Sequence, residues 1–190
     1  MGQNFHSQFV GILFEPEIVV KIKHGDQAAF EELYRGYYDR LYRFTLNFVR
    51  SNENAKDVVQ DVFVKMWLNK ETLDAQQSIK AYLFMAAKNR AVDFLKNKGN
   101  GLTDPDSHKA EAFSYSDPVQ DMIDGDLEAA VREAIGRLPQ KCKLVFELSR
   151  QGGLTYREIA DLFGISENTV EKQVVRALKH LKKSLKFFLA

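Results

Sequence analysis

The stretch LTYREIADLFGISENTVEKQVVRALKHL, from Leu154 to Leu181, leaves the chain few ways to fold. Thr155 and Glu158 have the T-x-x-E spacing of a capping box, in which a hydroxyl and a carboxylate satisfy free amides at a helix start. Ile159, Ala160 and Leu162 supply that helix with an apolar side. Gly164 falls where the chain must leave the helix, and glycine tolerates the left-handed conformation of such a stop. Ser166 is placed to cap a second helix. Along it Val170, Val174, Leu178, Leu181 and Leu185 recur at helical spacing and predict one buried face. At about 100° per residue, Asn168, Lys172, Arg176, Lys179 and Lys183 point the other way. A helix-turn-helix uses this arrangement to lay its second helix in the DNA major groove. Asn168, Thr169 and Lys172 then reach base edges, while Arg176, Lys179 and Lys183 meet phosphates. The plainer reading is a solvated face on an ordinary helical hairpin. Capping box, glycine turn and one-sided basic stripe together outweigh it.

The rest of the chain is helical in pattern. Residues 1–25 resist assignment, although Phe9 to Phe14 is an apolar run. Asp26 is placed to cap a long helix in which Phe30, Leu33, Tyr34, Tyr37, Leu41, Phe44 and Phe48 keep helical spacing to about Arg50. Residues 51–54 read as a connection. Ala55, Val58, Val59, Val62, Phe63, Met66 and Trp67 form the broad apolar face of a second helix. Its other side carries Asp57, Gln60, Asp61 and Val64, with Lys65 at the edge. Such a stripe is a solvated face or, with a valine exposed in it, a docking surface for a protein. Residues 69–77 read as a loop, and Ser78 caps a third helix to about Lys98. That helix is apolar almost all round from Ile79 to Ala87, as suits a helix gripped on several sides. Tyr82, Ala86, Asn89, Asp93 and Lys96 share one stripe of it. Aromatic, amide and cationic side chains so grouped suit single-stranded nucleic acid, though a tyrosine beside an apolar run also serves as core. Residues 99–126 show no helical period and read as a linker anchored only by Phe113 and Tyr115. A helix resumes from Leu127 to Ile135. Pro139 suits a first helical position, opening a helix through Val145, Phe146 and Leu148 that ends near Gly152 and Gly153. Without strand alternation or repeats, the expected fold is all-α: two small helical domains joined by a linker.

Charge divides along the same lines. The net charge of +1 hides two basic blocks, residues 21–98 and 127–190, and an acidic connector in which Lys109 is the sole cation. The single cysteine, Cys142, cannot form an internal disulfide, and in a helical pattern it reads as a buried structural thiol. His6, His24, His108 and His180 are too scattered for a metal cluster. No nucleophile elbow, phosphate-binding glycine loop or dinucleotide fingerprint occurs. The expectation is a protein without catalysis, cofactor, metal or small-molecule substrate. No stretch approaches the roughly 20 apolar residues of a membrane span, and the amino terminus lacks a signal-peptide pattern. The expected location is the cytoplasm, with no membrane insertion.

With both halves read, the chain resembles the extracytoplasmic-function branch of bacterial sigma-70 factors over residues 21–98 and 127–185. AFEELYRGYYDRLYRFTLNFVRSNENAKDVVQDVFVKMW looks like the start of conserved region 2. The resemblance implies that Asp57, Gln60, Asp61 and the neighbouring Val64 dock on the β′ clamp helices of core RNA polymerase, with Phe63 on the packed side. SIKAYLFMAAKNRAVDFLKNK is similar to the helix that melts and reads the −10 element. By that likeness Lys80, Tyr82, Asn89 and Arg90 contact −10 DNA. Asn89 helps to form a pocket for a flipped base, and the loop from Asn69 to Gln77 supplies its specificity edge. LPQKCKLVFELSRQGGLTYREIADLFGISENTVEKQVVRALKHLKK looks like region 4. Docked on the β flap, it would read −35 DNA with Arg157, Asn168, Thr169, Lys172, Arg176 and Lys179. The implied partners are therefore core RNA polymerase, promoter DNA and an anti-sigma factor. The implied domains are a tail over 1–20, region 2 over 21–98, an acidic linker over 99–126 that threads the polymerase's nucleic-acid channels, and region 4 over 127–190. Two rivals share parts of the pattern. A LuxR-type regulator needs an α/β receiver that residues 1–125 do not show, and a helical RNA-binding or antitermination protein would lack polymerase docking.

Overall fold

The computed structural model describes residues 15–98 and 126–186, and among these it contains eight α-helices, one short 3-10 turn and no strand. The helices are α1 (Glu15–Lys23), α2 (Gln27–Val49), α3 (Asn52–Leu68), α4 (Ile79–Lys98), α5 (Asp126–Gly136), α6 (Gln140–Arg150), α7 (Tyr156–Phe163) and α8 (Glu167–Ser184), and the 3-10 turn is Lys70–Thr72. The chain divides into two units, one holding α1–α4 and the other α5–α8. The run from Phe9 to Phe14, the linker aromatics Phe113 and Tyr115, and the connector carboxylates before Asp126 lie outside the described residues.

In the amino-terminal unit, Asp26 accepts a hydrogen bond from Ala29 N at 3.1 Å and starts α2. Such a cap is worth about 1 kcal/mol. α2 stops at Arg50, which is left-handed with φ 51°. Ser51 then caps α3 by accepting from Asn54 N at 3.4 Å. The connection expected over 51–54 is therefore already the first turn of α3, because a capping serine directly follows the helix stop. α2, α3 and α4 pack pairwise on one another, and α1 lies against α2 and the 3-10 turn. Leu33, Tyr37, Leu41, Phe63, Met66, Leu83 and Phe84 are fully buried between them. Phe63 holds its place between rings, 6.2 Å from Phe30 and 4.8 Å from Tyr34. α1 was not legible in the sequence, and it crosses the boundary expected at residue 20. Its Val19 and Ile22 are sealed inside, but nine residues are too few to show a period or to be stable alone.

In the carboxy-terminal unit α8 is the axis, packed by α5, α6 and α7. Val170, Val174, Ala177 and Leu181 are its buried line, facing a core that includes Leu138, Cys142, Val145, Ile159 and Leu162. Leu178 was expected in that line and is instead 43% exposed. It sits about 80° round the helix from Val170, beyond the stripe that the neighbouring helices cover, whereas Ala177 lies only about 20° away. Leu185 likewise misses the line, being half-buried past the last helical residue. Pro139 is the N-cap of α6 rather than its first helical residue, and its carbonyl accepts from Lys143 N at 2.8 Å. The exit from α6 requires Gly152, where a Cβ would stand 2.6 Å from Leu148 O.

Candidate nucleic-acid interface

The helix-turn-helix is built by its caps. Thr155 Oγ1 accepts from Glu158 N at 3.2 Å, and Glu158 Oε2 accepts from Thr155 N at 2.6 Å, completing the capping box at the start of α7. Gly164 turns left-handed with φ 65°, and its amide returns to Ala160 O. Ser166 Oγ accepts from Thr169 N at 3.2 Å and starts α8. With entry and stop both fixed, the face that α8 presents follows from its buried line. Asn168, Thr169, Lys172, Arg176, Lys179 and Lys183 are all exposed. No ion pair joins Lys172, Arg176, Lys179 or Lys183 to a carboxylate among the described residues. Arg157, on the first turn of α7, is exposed as well. Thr169 is the exception in chemistry: its hydroxyl lies 2.9 Å from Ser166 Oγ, inside the cap. Its methyl lies outside that contact, and threonine methyls are a group that can pack on thymine.

Beneath that face, Cys142 Sγ donates to Gln173 O at 3.2 Å, and burial pushes its thiol pKa up while Arg176 pulls the other way. It is a packed thiol, as expected. Val175 and Leu178, each 43% exposed, extend an apolar flank along α8 beside the basic stripe.

The amino-terminal unit presents two stripes. On α3, Asp57 and Gln60 are exposed, Val64 is 55% exposed and Leu68 is 72% exposed. Leu68 continues the stripe one turn beyond Val64 and was missed in the sequence, although its spacing of four from Val64 was the available signal. On α4, Tyr82 is 40% exposed and Asn89 lies on the same face two turns on, also exposed. Lys80 is half-buried. Arg90 does not share that face. Its Nε donates to Asp61 Oδ2 at 2.8 Å, and its Nη2 donates to the same oxygen. An expected DNA contact and an expected docking contact are thus each other's partners, a link between α3 and α4. Sequence spacing could not show it, because the two residues lie 29 positions apart. Between the stripes, the segment expected as a loop is partly helical and tied down, with Leu73 buried.

A two-unit helical molecule with a free basic helix in a helix-turn-helix is a DNA-binding protein of the transcription class. Comparison with known proteins narrows this. The family models described as "Sigma-70 region 2" and "Sigma-70, region 4" match in chain order, over residues 33–100 and 128–181. The chain is 26% identical over 180 residues to the RNA polymerase sigma-H factor of Pseudomonas aeruginosa, spanning 90% of this chain and 93% of that protein. It is 25% identical over 182 residues to the ECF RNA polymerase sigma-E factor of Haemophilus influenzae, spanning 91% of this chain and 96% of that protein. In fold it is similar to the sigma factor RpoE of Bartonella quintana, solved in complex with the anti-sigma factor NepR, with a TM-score of 0.58 at 24% identity over 83% of this chain and 96% of that one. The chain belongs to the extracytoplasmic-function branch of the sigma-70 family. It is accordingly a promoter-specificity subunit without catalysis of its own, which binds core RNA polymerase and directs initiation at chosen promoters. The LuxR-type alternative is not favoured: four helices, and no strand among the described residues, occupy the half where a receiver would stand. Nor is any described helix long and apolar enough to cross a membrane.

Proposed function

We propose that residues 127–190, which hold α6–α8 and all of α5 but its first residue, read the −35 element in the major groove. Asn168, Lys172 and the Thr169 methyl face base edges, while Arg157, Arg176, Lys179 and Lys183 hold phosphates. The observation that carries this reading is the uninterrupted exposed cation stripe of α8, opposite a sealed apolar line. Residues 21–98 dock on the β′ clamp helices through Asp57, Gln60, Val64 and the newly seen Leu68. They read the −10 element with Tyr82 and Asn89, edged by the loop from Asn69 to Gln77, and Lys80 lies beside that path. Asp61 and Arg90 act on docking and on DNA through their mutual link rather than as free contacts. Residues 99–126 form the linker, and the carboxy-terminal unit also docks on the β flap.

Two small surfaces specify a promoter only when the polymerase holds them at a fixed distance, since fixing them turns the second contact into an intramolecular one. Opening −10 then needs only a few kcal/mol of capture per flipped base, the scale of unstacking. The protein works in the cytoplasm, where polymerase and promoter are. An anti-sigma factor holds it in reserve, a reading supported by the complex in which RpoE of Bartonella quintana was solved. Run-off transcription with core polymerase tests the whole. Wild type should yield promoter-specific transcripts, Lys172→Ala with Arg176→Ala should lose −35 dependence, and Val64→Asp should lose core capture. Binding of core by Val64→Asp at wild-type strength would overturn the docking assignment.

A further inference from the structure

The segment between α3 and α4 carries more internal structure than a connector requires. Asn69 Nδ2 donates to Lys65 O at 2.8 Å, Thr72 Oγ1 donates to Asn69 O at 2.8 Å, and Leu73 N donates to Lys70 O at 3.1 Å. Asp74 accepts from Gln76 N at 2.9 Å and from Gln77 Nε2 at 3.2 Å. All of these ties are local. One is not: Lys23, the last residue of α1, donates from Nζ to Leu73 O at 2.6 Å across a sequence separation of 50. Leu73 is the junction where the 3-10 turn gives way to extended backbone, and its side chain is buried. The charge-assisted bond therefore holds the backbone where the loop's shape is decided, and bonds of this kind are about twice as strong as neutral ones. Beyond that junction Asp74, Gln76 and Gln77 are exposed.

We propose that Lys23 is a positioning residue for −10 reading: from α1 it sets the backbone at Leu73, and through it the placement of Gln76 and Gln77 against a captured base. This rests on the reading of the 69–77 loop as the specificity edge. Discrimination between bases needs hydrogen-bonding groups held in place, because a loop that samples several shapes fits several bases about equally well. It also gives α1 a task beyond adding Val19 and Ile22 to the core.

The test uses holoenzyme assembled from core polymerase and the full chain, transcribing a promoter library randomised at −10. Variants are Lys23→Met, which keeps length without the donor, Lys23→Arg, which restores a cation, and Gln77→Ala at the edge itself. Core capture is measured for each. A mismatched base pair commonly costs about tenfold in occupancy. In Lys23→Met that preference should fall to about twofold with core capture unchanged, in Lys23→Arg it should largely return, and in Gln77→Ala it should also fall. Wild-type preference in Lys23→Met alongside a flattened Gln77→Ala overturns the role of Lys23 and leaves the loop reading standing. If neither variant flattens the preference, the loop reading fails and the proposal with it. Should Lys23→Met fail to fold, the shorter Lys23→Gln carries the same comparison.

Discussion

In α8 the cations Lys172, Arg176, Lys179 and Lys183 all face solvent. In the amino-terminal unit Lys23 is turned onto the Leu73 carbonyl, Lys70 stands over the Trp67 ring at 5.0 Å, and Arg90 grips Asp61. The carboxy-terminal unit holds itself by caps, an apolar line and the local ion pairs Glu133–Arg137 and Lys143–Glu147, and leaves the cation stripe of α8 facing solvent. The amino-terminal unit uses charge to set the places of its own helices and loop. The difference fits what each surface is proposed to meet. Duplex phosphates need cations with no prior partner, because each neutralised phosphate releases counterions. A base taken out of the stack needs a shaped receptor, and there positioning matters more than free charge.

The largest expected effect tests whether the amino-terminal unit has a free surface at all. Val64 and Leu68 touch solvent, so Val64→Asp and Leu68→Asp should leave folding within about 0.5 kcal/mol. Each should weaken core polymerase capture by about 2 kcal/mol or more if it lies at the centre of the interface. Capture titrations check this, and undiminished binding by both variants would leave α3 with nothing but a solvated face. Next in size come the cations of α8. Arg176→Ala and Lys172→Ala should each cost about 1–2 kcal/mol of promoter affinity, and a lost phosphate contact should lower the log–log salt slope by about one. Lys70→Met should leave that slope untouched, because its partner is a ring of the same chain. An equal loss of slope in both units would erase the contrast.

A smaller effect addresses folding. Thr155→Ala removes half of the capping box and should destabilise the carboxy-terminal unit by about 1 kcal/mol. The chain's one tryptophan, Trp67, is on α3. Its fluorescence therefore follows the other unit and should report an unchanged midpoint, while the helical signal at 222 nm shifts. Movement of both signals together would show that the two units unfold as one.

The same contrast explains what could be read from the sequence. The turn from α7 to α8 was legible because it is local: Thr155 with Glu158, Gly164, and Ser166 with Thr169 each act within a few residues. Its free stripe follows from one helix alone. The third helix, its Ser78 cap and the burial of Phe63 were legible for the same reason. Leu178 was misplaced because the width of a buried stripe depends on which neighbours cover it, and periodicity does not contain that. The ties of Lys23 to Leu73 and of Arg90 to Asp61 were illegible because their partners are brought together only by the packing of α1 to α4. The family resemblance put Arg90 among the −10 contacts, since a cation beside Asn89 carries no sign that it is already engaged.

The smallest effect bears on that pair. Both side chains keep substantial exposure, 32% for Arg90 and 44% for Asp61. Solvent screening therefore limits the bond to about 0.5–1 kcal/mol of coupling. Asp61→Asn, Arg90→Gln and the double variant form a thermodynamic cycle read by Trp67 fluorescence in denaturant, where the singles should each lose stability and the double should lose less than their sum. High salt should shrink the coupling, because screening acts on exposed charge. A strictly additive cycle would mean that the guanidinium is available to other partners. In that case Arg90→Gln should lower the salt slope of promoter binding as Arg176→Ala does, and the contrast in charge use would end at α4. A positive coupling with an unchanged slope would instead make Asp61 and Arg90 an inner brace, through which substitutions on the docking helix are felt by the helix that carries Asn89.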